Sequence, residues 1–168
     1  MSNDDGARRR RARAARKYKP TRVKLLLVAE APPAALDRYF YFEKVPRQDS
    51  LFRYVVRSIL GVESTRENKP QLLARLRNEG VFLIDLKTDP IDRAPLSDCV
   101  PDLQRRAQRL KPDKIVLIKA TVYDAAFTAL RKAHLPVIDE RVPFPGSGQQ
   151  RRFQIAFTRA LKARVKRS

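Results

Sequence analysis

The segment Val23-Lys24-Leu25-Leu26-Leu27-Val28-Ala29 is an apolar run interrupted only by Lys24. It lacks the in–out alternation of a strand with one wet face, so it reads as a strand buried on both faces. Such strands belong to parallel sheets covered by helices, which confines the chain to the α/β class. Three later segments fit the same scheme. Val81-Phe82-Leu83-Ile84 follows Gly80, Lys114-Ile115-Val116-Leu117-Ile118 follows the Lys111-Pro112-Asp113 break, and a weaker Pro136-Val137-Ile138 extends towards Val142.

Between these runs the apolar spacing is helical. Leu51, Phe52, Val55, Val56, Ile59 and Leu60 share one helix face, with Asp49 or Ser50 to cap its start and Gly61 to end it. Leu72, Leu73 and Leu76 mark a second helix with Pro70 in its first turn, and Leu103, Ala107 and Leu110 a third. Thr121-Val122-Tyr123-Asp124 has the form of a capping box ahead of Ala126, Leu130 and Ala133. A last helix runs from about Gln149 through Phe153, Phe157 and Leu161. The expected fold is a three-layer α/β/α sandwich around a central four-stranded parallel sheet.

Composition narrows the class further. The 168 residues suffice for one sizeable core, and the 43% apolar content is that of a globular chain. No apolar run approaches the ~18–20 residues that span a bilayer, and no signal peptide opens the sequence, so an intracellular protein without a membrane partner is expected. One cysteine, Cys99, and one histidine, His134, leave no material for a disulfide framework, a Cys-rich or His-rich metal site or a Ser-His-Asp triad. No cofactor or metal is expected, and a monomer is.

The net charge is +19, from 37 Lys and Arg against 18 Asp and Glu. Residues 1–20 hold eight basic and two acidic side chains, including Arg8-Arg9-Arg10-Arg11, and almost no bulky apolar ones. They read as a disordered basic arm ahead of a single domain over 21–168. Without the arm's net +6, the remainder still carries +13. At the other end, Arg151, Arg152, Arg159, Lys162, Arg164, Lys166 and Arg167 face no acid in the same stretch. Such an excess calls for a polyanion, DNA first and RNA as the alternative, since each cation near a phosphate releases a condensed counterion.

In open parallel sheets ligands bind beyond the carboxyl ends of the strands. The first strand runs into Glu30-Ala31-Pro32-Pro33 and then the aromatic cluster Tyr39-Phe40-Tyr41-Phe42. The second ends at Asp85, the third at Lys119, and the fourth at Pro143-Phe144-Pro145-Gly146-Ser147-Gly148 before Arg151 and Arg152. Two acids, aromatics, a lysine and a glycine-containing loop at a helix start would share one rim. That set suits a flat polar ring, with phosphates held by loops and helix ends.

Leu25-Leu26-Leu27-Val28-Ala29-Glu30-Ala31-Pro32 resembles the first motif of the uracil-DNA glycosylase superfamily, a strand ending in a Gly-Glu-Ala-Pro-type turn. Pro143-Phe144-Pro145-Gly146-Ser147 lies where that superfamily places its second motif, a His-Pro-Ser-type loop that enters the minor groove. The resemblance covers most of residues 22–165 in order and spacing. It implies a sheet order of 2-1-3-4, Asp85 at the position of the asparagine that reads the base edge, and Phe40, Tyr41 or Phe42 stacking on a flipped base beside Ala31 and Pro32. It also implies minor-groove contact by the 143–147 loop; the rim reading itself adds Lys119, Gly148, Arg151 and Arg152 as nucleic-acid contacts.

The departures matter as much. Ala31 stands where some branches carry a water-activating aspartate, and Phe144 stands near the missing histidine. An ionised Asp85 only accepts hydrogen bonds, so it opposes the uracil O4 and suits an exocyclic amine. Cleavage of an N-glycosidic bond passes through an oxocarbenium-like sugar, which Glu30 or Asp85 can stabilise while the other holds the base or positions water. A non-catalytic nucleic-acid binder on the same fold is the alternative. A magnesium-dependent phosphoesterase built on Glu30, Asp85, Asp89 and Asp92 is the third. Each residue also has a plain structural role open to it. Glu30 can cap a turn, Asp85 can pair with Lys87, the aromatics can be core, and Gly146-Ser147-Gly148 can be a helix entrance.

Overall fold

The computed structural model describes residues 3–47 and 49–166. The chain runs α1 (Asn3–Lys17), β1 (Leu25–Ala29), α2 (Ser50–Leu60), α3 (Lys69–Asn78), β2 (Val81–Asp85), a 3-10 turn (Leu96–Cys99), α4 (Val100–Leu110), β3 (Lys114–Leu117), α5 (Ala120–Lys132) and α6 (Gln150–Lys162). β1 is central and pairs in parallel with β2 on one side and β3 on the other, giving the order 2-1-3. Consecutive residues Leu26, Leu27 and Val28 are all fully buried, so both faces of β1 are covered. α2 packs against α3 and α6, and α4 against α5. Phe153 and Phe157 of α6 stack at 4.9 Å between ring centroids within the core. The class is α/β, as the alternating pattern predicts.

Local chemistry accounts for most boundaries. Asp49 caps α2, accepting the Leu51 amide at 2.8 Å, and Gly61 ends it in the left-handed region at φ 68°. Gly80 precedes β2 at φ 77°, and a Cβ there would lie 2.8 Å from the Lys24 side chain. The glycine is what lets its carbonyl approach the Lys24 and Leu25 amides, at 2.9 and 3.1 Å.

The expected fourth strand is not formed. Residues 136–142 do run beside β3, but they touch it only at two isolated parallel bridges, Ile115 with Val137 and Ile118 with Val142. Between them Glu140 donates its amide to the Ile138 carbonyl, a local turn that draws the chain off the edge. Pro136 has no amide to offer, and Pro143 ends the segment in the same way.

The basic arm is also corrected: residues 3–17 form α1 rather than a disordered tail. Four alanines interleave with arginines, both strong helix formers, and Asp4 and Asp5 start the helix while Arg16 and Lys17 end it. Its docking is polar, which is why a search for apolar residues misses it. Arg8 makes a two-pronged pair with Asp89 at 2.6 and 3.0 Å, Arg10 lies over Phe42, and Arg11 is buried. Tyr18, just beyond, is buried and donates its hydroxyl to Glu43. Met1, Ser2, Arg167 and Ser168 lie outside the described residues. Deletion of residues 1–18 therefore exposes Phe42 and strands Glu43 and Asp89, and a drop in melting temperature of several degrees is expected in a thermal melt. An unchanged melt would show that α1 is not part of the folded unit.

Candidate functional site

Parallel pairing places Ala29 opposite Asp85, so Glu30, the residue after β1, and Asp85, the last of β2, come to the same end of the sheet. The chain beyond them stays in register, with the Leu86 and Lys87 amides donating to the Ala29 and Glu30 carbonyls at 2.7 and 2.9 Å. At this end of the sheet lies a cavity of about 170 Å³. Its walls include Glu30, Ala31, Pro32, Tyr39, Phe40, Asp49, Asp85, Lys119 and Phe144. A wider open groove of about 1020 Å³ lies around Asp113, Lys114, His134 and Val165, where the strands begin. Ligands in open parallel sheets bind at the carboxyl ends, and only the smaller cavity lies there.

Glu30 is held from two sides. One oxygen takes the Lys119 ammonium at 2.8 Å, and the other accepts the Thr121 hydroxyl. Thr121 is therefore not the helix cap that its sequence context predicts; it sits in the first turn of α5, with Lys119 at the cap position. Lys119 joins β3 to α5 with φ 88° and ψ 135°, a conformation costing a non-glycine residue about 1–3 kcal/mol. It is over-determined by its neighbours. Its amide donates to Val142 at 2.7 Å, and its carbonyl accepts the Val122 and Tyr123 amides.

Asp85 is not paired with Lys87, which binds Asp92 at 2.8 Å instead. Burial is the main force raising the Asp85 carboxyl, to about 7, and the charge of Asp49 pushes the same way. Arg106 and Arg11 oppose the rise. Arg106 also ties the strand end down, donating to the Asp85 and Leu86 carbonyls at 2.8 and 2.9 Å. At neutral pH Asp85 thus exists in both forms, and the neutral acid offers one O–H donor beside one carbonyl acceptor. This corrects the expectation of an accept-only carboxylate.

Asp49 is the residue that sequence reasoning missed. Its spacing before α2 marks a helix cap, and it is one, yet it also lines the cavity and its own carboxyl is raised by burial. Nothing in the linear sequence signals that second position. Behind it, Lys69 is buried, donates to the Tyr39 carbonyl at 3.0 Å and lies over the Phe52 ring; burial lowers its ammonium to about 8.

The aromatic cluster divides. Phe40 lines the cavity, and Tyr39 joins it. Tyr41 does not: its hydroxyl bonds both the carbonyl and the amide of Leu83, at 2.9 and 2.7 Å, and it is core. Phe42 is likewise buried, against Tyr39 and under Arg10. Phe144 stands at the mouth, 39% exposed. Pro143, Pro145, Gly146, Ser147 and Gly148 do not line the cavity but carry the chain from its mouth into α6, with Ser147 and Gly148 at positive φ. Arg151 and Arg152 are exposed in the first turn of α6 and make no ion pair among the described residues.

The acids of the phosphoesterase reading do not converge. Asp89 is engaged by Arg8 and Asp92 by Lys87. Among the described residues, no group of three or more His, Cys, Asp or Glu is gathered as a metal site would need. No helix among them is long and apolar enough to cross a membrane. No family model matches the chain, and no curated protein or solved structure matches it either.

Proposed function

We propose that the protein is a divergent relative of the uracil-DNA glycosylases that binds DNA and hydrolyses the N-glycosidic bond of a damaged or deaminated base. In this reading residues 136–142 stand in for the fourth strand of a three-layer 2-1-3-4 sandwich. The observation that carries it is a ring-sized cavity with carboxylates at the ends of two neighbouring strands. A cavity of about 150 Å³ accommodates a benzene ring, so 170 Å³ takes a single-ring base without rearrangement. Phe40 and Tyr39 supply flat walls, and Phe144 covers the entrance.

Asp85 in its neutral form offers a donor and an acceptor side by side, the pair that uracil needs for its O4 and N3–H. Glu30, ion-paired with Lys119, faces the positive charge that develops on the sugar in this reading, and stabilises it without reorganisation. The basic surface holds the backbone while the base is out of the stack, a step that costs least for weakly paired bases.

The test is incubation with oligonucleotides carrying different damaged bases, followed by alkaline cleavage of any abasic site. Strand scission after alkali at uracil or another single-ring lesion supports excision. Binding without scission at any base supports the non-catalytic alternative, which the engagement of both Glu30 oxygens favours. RNA in place of DNA forms a parallel arm. Arg151 and Arg152 are expected to carry phosphate contacts, since cations at a helix start oppose the dipole unless an anion is present. Replacing both by alanine weakens DNA binding by about 1–3 kcal/mol and flattens its salt dependence, with melting temperature unchanged. A large fall in melting temperature at unaltered affinity would make them structural.

A further inference from the structure

Lys119 occupies a position built for a nucleophile. β3 ends at Leu117 and α5 begins at Ala120, so the turn between strand and helix is sharp, with Lys119 at its apex. Such elbows lift one side chain above the end of a sheet, where a reacting carbon can reach it. The backbone there has φ 88°, which glycine would adopt freely and lysine adopts only under strain. Lys119 lines the cavity, its side chain is 39% exposed, and its amine lies 2.8 Å from Glu30 Oε1. The amines of Lys69, Lys87 and Lys114 are instead pinned elsewhere, on the Tyr39 carbonyl, on Asp92 and on the α6 carbonyls of Ala160 and Leu161.

We infer that Lys119 attacks the C1′ aldehyde of an abasic sugar, giving the protein a strand-cleaving lyase activity in the same cavity. The inference rests on the glycosylase reading for where the sugar lies. Glu30 first takes a proton from the Lys119 ammonium across their 2.8 Å contact. The nitrogen lone pair then forms the bond to C1′. The carbonyl oxygen leaves as water with the Glu30 proton and one N–H proton, producing a protonated imine and restoring the carboxylate. Glu30 next removes a C2′ proton, and the electron pair passes through the imine system to expel the 3′-phosphate with the C3′–O pair. Water hydrolyses the imine and frees Lys119.

The experiment uses full-length protein, an oligonucleotide with a preformed abasic site, and sodium borohydride, whose hydride reduces the imine to a stable secondary amine. The expected result is a covalent protein–DNA adduct mapping to Lys119 and, without borohydride, a nick 3′ to the abasic site in the absence of alkali. Lys119→Arg keeps the charge but forms no adduct. Lys119→Gly relieves the backbone, so it loses the adduct with a melting temperature no lower than wild type. The inference is overturned if wild type binds the abasic oligonucleotide without an adduct, or if either variant traps as much as wild type. Because the abasic site is preformed, an adduct without excision of any base removes the glycosylase reading and leaves Lys119 as the nucleophile.

Discussion

At pH 8, Asp85→Asn raises the melting temperature by several degrees, with a ceiling of about 8–16 °C, although it removes a residue of the candidate site. The folded protein holds the Asp85 carboxyl up at about 7, against an ordinary value of 3.8, chiefly through burial and then through the charge of Asp49. The native state therefore binds more protons than the unfolded chain between those values, and stability falls as pH rises through that window. Above pH 7 the penalty is complete. A rise of about three pKa units is worth at most about 4 kcal/mol, and each kcal/mol moves the midpoint of a domain this size by about 2–4 °C. Asparagine keeps the shape and carries no charge, so it escapes the penalty. At pH 5 the advantage shrinks to less than half. Thermal melts of both proteins at the two pH values decide it, and an equal or negative shift at pH 8 refutes a charged, buried Asp85. The same variant presents a donor at every pH. Its uracil excision is expected to stay level from pH 6 to 8, whereas wild type declines above pH 7 as Asp85 loses the proton it donates.

Glu30→Gln is expected to lower single-turnover excision by about 10²-fold or more, the loss typical when a preorganised group facing transition-state charge is removed. Glutamine fills the same space and can still accept from Thr121, so the cavity keeps its shape. What it cannot do is carry a negative charge next to the sugar or balance Lys119 at 2.8 Å. With that ammonium uncompensated, affinity for DNA stays level or rises while excision falls, separating a chemical defect from a binding one. Equal excision rates for the two proteins would assign Glu30 to holding the Lys119 turn. If wild type, Glu30→Gln and Asp85→Asn all leave every base intact while binding DNA, the non-catalytic reading stands.

The unbroken apolar run of β1 leaves no wet face, so the covered parallel sheet is written in the sequence, and with it the rim where Glu30 and Asp85 emerge. Helix starts and stops are equally local. Asp49 before α2, Gly61 after it and Pro70 in the first turn of α3 act on amides and carbonyls a few residues away. What stayed hidden depends on partners distant in the chain. α1 is held by Asp89 and Glu43, which lie about 80 and 25 residues along from the side chains they bind, so composition alone assigns it to disorder. Tyr41 and Phe40 are adjacent, chemically alike and both buried, yet Tyr41 is tied by a hydrogen-bond pair to Leu83 and only Phe40 lines the cavity.

The same division runs through the site's electrostatics. Residue type makes Asp85 an acid, but its proton affinity was decided by burial and by Asp49, Arg11 and Arg106, drawn together from three other helices or their caps. Lys119 reads as one more cation in a basic chain. Only the closure of β3 onto α5, with Val142 holding its amide, forces the left-handed backbone that aims its amine at Glu30. Side-chain periodicity and capping are short-range and so legible in one dimension. Desolvation, charge pairing and backbone strain exist only once distant segments have met.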